Sequence, residues 1–259
     1  MVLTLKRSVL SIVIVGLLLI CLPLSLAGAF ESGLTEAEGA IRTWRSANGL
    51  PADSVSAIIQ TRDGFLWIGT SAGVVRFDGV KFTELKLSES ETNGVLRVTA
   101  LCEDSQGHLW IGTQQEGVFK LAQGTIRRYT KANGLLDDNV TSLVAGTNGY
   151  VWIGTKSGLN LATGKEIKSF SVRDGLPDEL VSGVHVARSG AVWITTRSGV
   201  CRYIDGHIAP YEFQTDSQGR SPEYLGAYED GRGNLWAFGD TFLINLTEGK
   251  RFNYFRGNE

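Results

Sequence analysis

Apolar and polar positions change over in short bursts along this chain, and after residue 30 no stretch holds a 3.6-residue period. Runs of four to six residues rich in β-branched and aromatic side chains are cut by glycine-bearing turns, which predicts short strands. In the first clear cycle, residues 55–60 predict a strand, 61–64 a turn and 65–70 a second strand. Residues 71–73 turn again, 74–77 predict a third strand and 81–85 a fourth. Asp78-Gly79 between the last two reads as a tight hairpin turn with φ above zero at both positions. Gly124, Gly164, Gly206 and Gly249 hold the same place in later cycles.

The cycle repeats. Trp67, Trp110, Trp152, Trp193 and Trp236 stand 43, 42, 41 and 43 residues apart, each within a version of Gly-x-Leu-Trp-Ile-Gly-Thr. A four-stranded unit of this length predicts an all-β β-propeller, each unit one blade. The second strands are apolar on both faces, as strands covered on both sides must be. Ala57, Ala100, Ser142, Gly183 and Gly226 place a small residue in each first strand, where blades would crowd toward the axis. The units are expected at about 54–95, 96–137, 138–178, 179–221 and 222–259 within a repeat region 41–259. A strand expected at 41–45, around Trp44, looks like the outer strand of a missing or shared blade. The last unit supplies its own outer strand at 251–255, so an incomplete ring is expected.

Residues 104–113 with Gly117 and Val118 resemble the two-component regulator propeller repeat, as do 63–70 with Gly73 and 149–155 with Gly158. The connector Asn-Gly-Leu-Pro at 48–51 is similar to the family's and recurs at 133–136 and 174–177. The fourth unit replaces the motif glycine with Thr195, and the fifth is degenerate. The resemblance implies a periplasmic sensor domain ahead of a membrane helix and a kinase or cyclase output. It implies an extracellular ligand, carbohydrate fragments among the classes, and no catalysis in this chain.

Lys6 and Arg7, the apolar run from residue 9 to 22, and Ala27, Gly28 and Ala29 read as a signal peptide over 1–29. An uncleaved N-terminal anchor is the alternative. Either way the repeats are exported, to the periplasm or beyond, after a leader at 30–40. The exported part then carries 23 basic and 27 acidic side chains, a net charge of −4, which argues against nucleic acid. Cys102 and Cys201 lie in non-adjacent units and are expected as buried thiols rather than a disulfide.

Candidate chemistry is sparse. His108, His185 and His207 fall at different places in their units, so no shared metal or catalytic cluster is expected, nor any cofactor. Asp63, Asp104 and Asp230 recur near the first turn and read as turn caps. The tryptophans read as blade-to-blade packing. Binding is expected on the face made by the connectors 46–54, 86–95, 131–139, 171–179 and 214–223 with the turns between second and third strands. There Gln114, Gln115, Lys156 and Arg197 from the turns, with Asn139 and Asp178 from the connectors, are the candidate ligand residues for a small polar molecule such as an oligosaccharide. A homodimer or a downstream receptor segment is the expected partner. The alternatives are a lyase-type propeller enzyme, with Asp53, Asp137 and Asp178 standing in for a histidine base, and a passive protein-binding scaffold.

Overall fold

The computed structural model describes residues 42–87, 96–146, 149–211 and 223–253. The predicted leader lies outside them, as does most of the connections at 88–95 and 212–222. The chain divides into two compact units, 1–44 and 45–259. In the first, the described residues 42–44 form no strand, which corrects the expectation around Trp44. Arg45 is extended, but its N–H goes to Asn48 Oδ1 at 3.0 Å and caps a 3-10 turn, Ser46–Asn48, instead of joining a ladder.

The second unit holds five four-stranded antiparallel sheets, each formed from consecutive strands in chain order. Blade one is β1 (Val55–Gln60), β2 (Leu66–Thr70), β3 (Gly73–Phe77) and β4 (Phe82–Glu84). Blade two is β5 (Val98–Glu103), β6 (Leu109–Thr113), β7 (Val118–Ala122) and β8 (Thr125–Tyr129). Blade three is β9 (Val140–Ala145), β10 (Val151–Thr155), β11 (Gly158–Ala162) and β12 (Ile167–Phe170). Blade four is β13 (Val181–Val186), β14 (Val192–Thr196), β15 (Gly199–Ile204) and β16 (His207–Tyr211). Blade five is β17 (Gly226–Glu229), β18 (Leu235–Phe238), β19 (Phe242–Asn245) and β20 (Lys250–Asn253). The inner strands β1, β5, β9, β13 and β17 pack in succession. No comparable packing joins blade five back to blade one among the described residues, so the ring is not closed.

Each hydrophobic cluster spans two blades. Trp67 and Val74 of blade one pack with Val98, Leu109 and Ile111 of blade two. Trp152 and Leu159 of blade three pack with Val181, Val192 and Ile194 of blade four. Side chains alternate across a strand, so Trp67 and Gly69 turn toward the following blade and Ile68 and Thr70 away from it. That register explains the motif glycine. A Cβ built on Gly69 lies 2.4 Å from Val98 Cγ1, on Gly112 2.7 Å from Val140 Cγ1, and on Gly154 2.8 Å from Val181 Cγ1. The first valine of β5, β9 and β13 occupies the space where a side chain would be. Blade four carries Thr195 there, and its hydroxyl bonds Gly183 O at 3.2 Å.

The small inner positions are crowded as expected: a Cβ on Gly183 would lie 3.2 Å from Gly226 Cα of the next blade. The hairpin reading needs correction in blade one. Gly79 has φ +97°, but Asp78 does not have positive φ, and its carboxylate instead accepts the Val80 and Lys81 N–H groups at 2.8 Å. Paired positive φ occurs at Gln123-Gly124 and Asp205-Gly206.

Candidate functional site: the connector and turn face

Three connectors are described, and they share one construction. Each opens with a 3-10 turn, Ser46–Asn48, Lys131–Asn133 or Val172–Asp174. The last side chain of the turn accepts the N–H of the residue before it: Arg45 to Asn48, Thr130 to Asn133, Ser171 to Asp174. Gly49, Gly134 and Gly175 then reverse the chain at φ +102°, +117° and +104°, a region closed to most side chains. Leu50, Leu135 and Leu176 follow and are buried. The Asn/Asp-Gly-Leu signature is therefore a capped turn, a glycine reversal and an anchor.

The turns between second and third strands are stitched to the same end. The N–H groups of Ser71, Gln114, Lys156 and Arg197 donate to the carbonyls of Ser54, Arg97, Asn139 and Leu180, at 3.0, 2.9, 3.2 and 3.2 Å. Connector and turn thus form one face, as the repeat pattern predicts.

Of the six candidate residues, the structure joins four in two pairs, each within one blade. Asn139 accepts the Lys156 N–H, while its own backbone and side-chain N–H groups donate to Asp137 Oδ1 at 2.7 and 2.9 Å. Lys156 is exposed. Asp178 lies 4.0 Å from Arg197 Nη2 and accepts Leu180 N–H at 2.8 Å and Ser198 Oγ–H at 2.9 Å. Gln114 is half-buried and Gln115 exposed, on the blade-two turn. Asp178 and Asn139 are thus tied into the scaffold, and Gln115, Lys156 and Arg197 reach outward.

Sequence reasoning missed Ser157 and Ser198. Ser157 Oγ donates to Asp137 Oδ2 at 2.8 Å, the counterpart of Ser198 to Asp178, so an Asp–Ser bond clips connector to turn in blades three and four. The signal was present in the repeats. Blade one has Ala52 and Ala72 at these two positions, so both halves of the clip are missing together.

Two carboxyl groups of this face, Asp53 and Asp137, are held below their usual range. The Ser46 N–H lowers Asp53 below the usual carboxyl range. Burial raises Asp137, but the hydrogen bonds from Asn139 and Ser157 outweigh it and the net shift is downward. Groups that are bonded in this way are weak proton acceptors.

The opposite face carries different chemistry. Asp104 is 1 % exposed; it accepts the Trp110 indole N–H at 2.8 Å, the Gln106 and His108 N–H groups, and contacts His108 Nδ1 at 3.0 Å and Lys120 Nζ at 3.7 Å. Asp230 holds Trp236 the same way at 3.0 Å. Asp63 stands two positions later than these and takes Phe65 N–H and Thr61 Oγ–H instead, so it caps its turn but does not reach the tryptophan. Glu103 accepts Arg62 N–H across blades one and two at 3.0 Å, and Glu229 accepts Arg188 N–H across blades four and five at 2.7 Å. Cys102 and Cys201 are free and buried, and burial pushes both thiols up to about 12. Among the described residues no cluster of three His, Cys, Asp or Glu is arranged to hold a metal ion. Two clefts, about 450 Å³ on blade five and about 460 Å³ between blades three and four, open at this face rather than at the connector face.

Comparison with known proteins adds to this. The family model described as two component regulator propeller matches residues 49–72, 94–115 and 134–157. No curated protein matches the chain. Among solved structures, the extracellular domain of a protein described as a hybrid two-component system of B. thetaiotaomicron superposes with a TM-score of 0.68 at 23 % identity. That match covers 84 % of this chain and 30 % of the other. Virginiamycin B lyase of Staphylococcus aureus superposes with a TM-score of 0.62 at 18 % identity, over 79 % of this chain and 71 % of the lyase. PorZ, a surface component of the type-IX secretion system of Porphyromonas gingivalis, gives 0.55 at 14 %, over 78 % and 34 %. These likenesses establish the propeller fold; the chain spans less than a third of the first structure's length. With the motif glycine, the inner valine and the connector all accounted for, the three stretches that match the two-component regulator propeller model lie in blades one to three, each a four-stranded sheet.

Proposed function

We propose that this chain is the extracytoplasmic ligand-sensing propeller of a bacterial two-component receptor, and that it binds a small polar ligand such as an oligosaccharide at the connector and turn face. The observation that carries the reading is the match of three repeats to the two-component regulator propeller model. The likeness to an extracellular domain of a two-component system agrees with it. The face offers a rigid platform, because the turns of blades one to four are each bonded to the chain that enters the same blade, with exposed Gln115, Lys156 and Arg197 on top. Signalling output would belong to segments beyond this propeller.

The lyase-type reading has one observation in its favour, the shared fold with virginiamycin B lyase. Against it, Asp53 and Asp137 are held down by hydrogen bonds, which weakens them as bases, and Asp178 is occupied by Leu180 and Ser198.

The test is calorimetric titration of the chain with a panel of neutral and acidic oligosaccharides. For a saccharide that binds, replacing Gln115, Lys156 and Arg197 together with alanine is expected to weaken affinity at least tenfold, about 1.4 kcal/mol. Unchanged affinity in a folded triple variant would remove the site from this face.

A further inference from the structure

The first turn of a blade can hold a carboxylate, and blade four keeps the holder without the acid. In blade two the turn between β5 and β6 closes with Asp104 N–H to His108 O and Gly107 N–H to Asp104 O, both at 3.0 Å. The Asp104 carboxylate accepts the Gln106 N–H at 2.9 Å, the His108 N–H at 3.0 Å and the Trp110 indole N–H at 2.8 Å. In blade five Asp230 accepts the Arg232 N–H at 2.8 Å, the Asn234 N–H at 2.9 Å and the Trp236 indole N–H at 3.0 Å. Three N–H groups thus converge on one carboxylate in both blades.

Blade four closes the same turn in the same way, with Ala187 N–H to Ala191 O and Gly190 N–H to Ala187 O, both at 2.8 Å. Ser189, Ala191 and Trp193 stand where Gln106, His108 and Trp110 stand, so the three donors are kept. The acid is not kept: Ala187 takes its place. Ser189 Oγ meets the Ala191 N–H only at 3.4 Å. Neither the Ser189 N–H nor the Trp193 indole N–H has an acceptor among the described residues.

The cation is kept as well. Lys120, the cross-strand partner of Trp110, lies 3.7 Å from Asp104 Oδ2 and 4.9 Å from the indole centre. Arg202 is the cross-strand partner of Trp193 and lies 5.6 Å over its ring. Its Nε is buried without a partner, and no acid pairs with it among the described residues. Glu229 of the adjoining blade accepts the Arg188 N–H at 2.7 Å instead. Aligned N–H groups and a buried guanidinium nitrogen without an acceptor are costly. A carboxylate from outside would satisfy them with the charge-assisted bonds that Asp104 makes in blade two.

The combination is particular to blade four. Blade three has Gly146 in place of the acid but Leu161 in place of the cation. Blade one has Thr61 and Arg76 at these positions, yet Asp63 supplies a carboxylate to that turn and Arg76 stacks on Phe65 at 4.3 Å. The blade-four turn is also open to solvent. Arg188, Ser189 and Gly190 are exposed, and the cleft of about 460 Å³ between blades three and four borders the turn.

We propose that the first turn of blade four, with Trp193 and Arg202, binds the carboxylate of a small soluble acid in the place that Asp104 fills in blade two. The site lies at the end opposite to Gln115, Lys156 and Arg197, so it stands apart from binding at the connector face.

Acetate is the probe, added to the nitrogen-15-labelled full chain. The readout is the Trp193 indole N–H resonance, identified by its loss in Trp193→Phe. Half of the full shift is expected at roughly 1–10 mM acetate, a suitable strength for so small a ligand. Acetamide, of the same shape and uncharged, and chloride at the same ionic strength are expected to leave the resonance in place. Arg202→Met is expected to weaken acetate about fivefold or more. Ala187→Asp supplies the acid from within; it is expected to abolish the acetate shift and to raise the melting temperature by roughly 2–4 °C. No shift up to about 100 mM acetate would overturn the proposal. So would an equal shift with acetamide or chloride, or an Ala187→Asp chain that still responds to acetate or does not fold. None of these outcomes bears on oligosaccharide binding at the connector face.

Discussion

At the scale of single residues, the least expected group is Asp104. A carboxylate 1 % exposed is costly unless its oxygens are fully used, and here they are. Burial raises its pKa, but the Trp110 indole, the His108 backbone and ring, and the Gln106 N–H outweigh that and hold it below 3.8. A carboxyl depressed in the folded state contributes stability that is complete above about pH 3.8, its unfolded value, and that is lost as pH falls through the folded value. Asp104→Ala leaves an indole N–H and the Lys120 ammonium without their partner, and is expected to cost about 2–4 kcal/mol at neutral pH. Urea melts of wild type and variant should converge as pH drops below 3.8. A gap that stays constant down to about pH 3 would show that the side chain acts by shape and not by charge.

At the scale of elements, the unit of construction is the seam between two blades, set by a glycine and a valine 28 or so residues apart. Gly112 and Val140 make the cleanest case. Gly112→Ala puts a methyl 2.7 Å from Val140 Cγ1 and 3.3 Å from Leu143 Cδ1, so overpacking of about 1–3 kcal/mol is expected. Val140→Ala alone should cost about 1–3 kcal/mol through the cavity it leaves. Together they should cost less than the sum by about 1 kcal/mol or more, because the new methyl occupies the vacated space. Additive losses in thermal melts would mean that the two do not share one hollow. These elements were legible in the sequence because the repeat speaks five times: Gly69, Gly112 and Gly154 show the rule, and Thr195 and Phe238 show where it lapses. The connector face was legible for the same reason. The Asp–Ser clip was not read, since it shows only as a joint change to Ala52 and Ala72 in one repeat. The strand expected around Trp44 failed because Arg45 gives its N–H to a turn, and nothing in local β-propensity reports that competition.

At the scale of the whole molecule, an open series of blades behaves as a one-dimensional stack, in which each blade is held by its neighbours and the last is held from one side. Blade five is tied to blade four by the cluster around Trp193 and Tyr224, by Tyr211 O–H to Leu246 O at 2.6 Å, and by Arg188 N–H to Glu229 at 2.7 Å. That seam also holds unmade bonds: His185 Nε2 and Arg202 Nε are buried without a partner, and burial lowers the His185 pKa against the opposing pull of Glu229. Regions with few such ties open before the global transition does. Backbone hydrogen exchange should therefore be fastest, among the strands, in β17 to β20 and slowest in β9 to β11, which have blades on both sides. Tyr211→Phe removes one tie without changing the packed ring, and is expected to cost about 1 kcal/mol. Its effect should be confined to blade five, with exchange there about fivefold faster and blades one to three unchanged. A uniform acceleration across all five blades would mean that the stack unfolds as one cooperative body, and that the end blade is held as firmly as the rest.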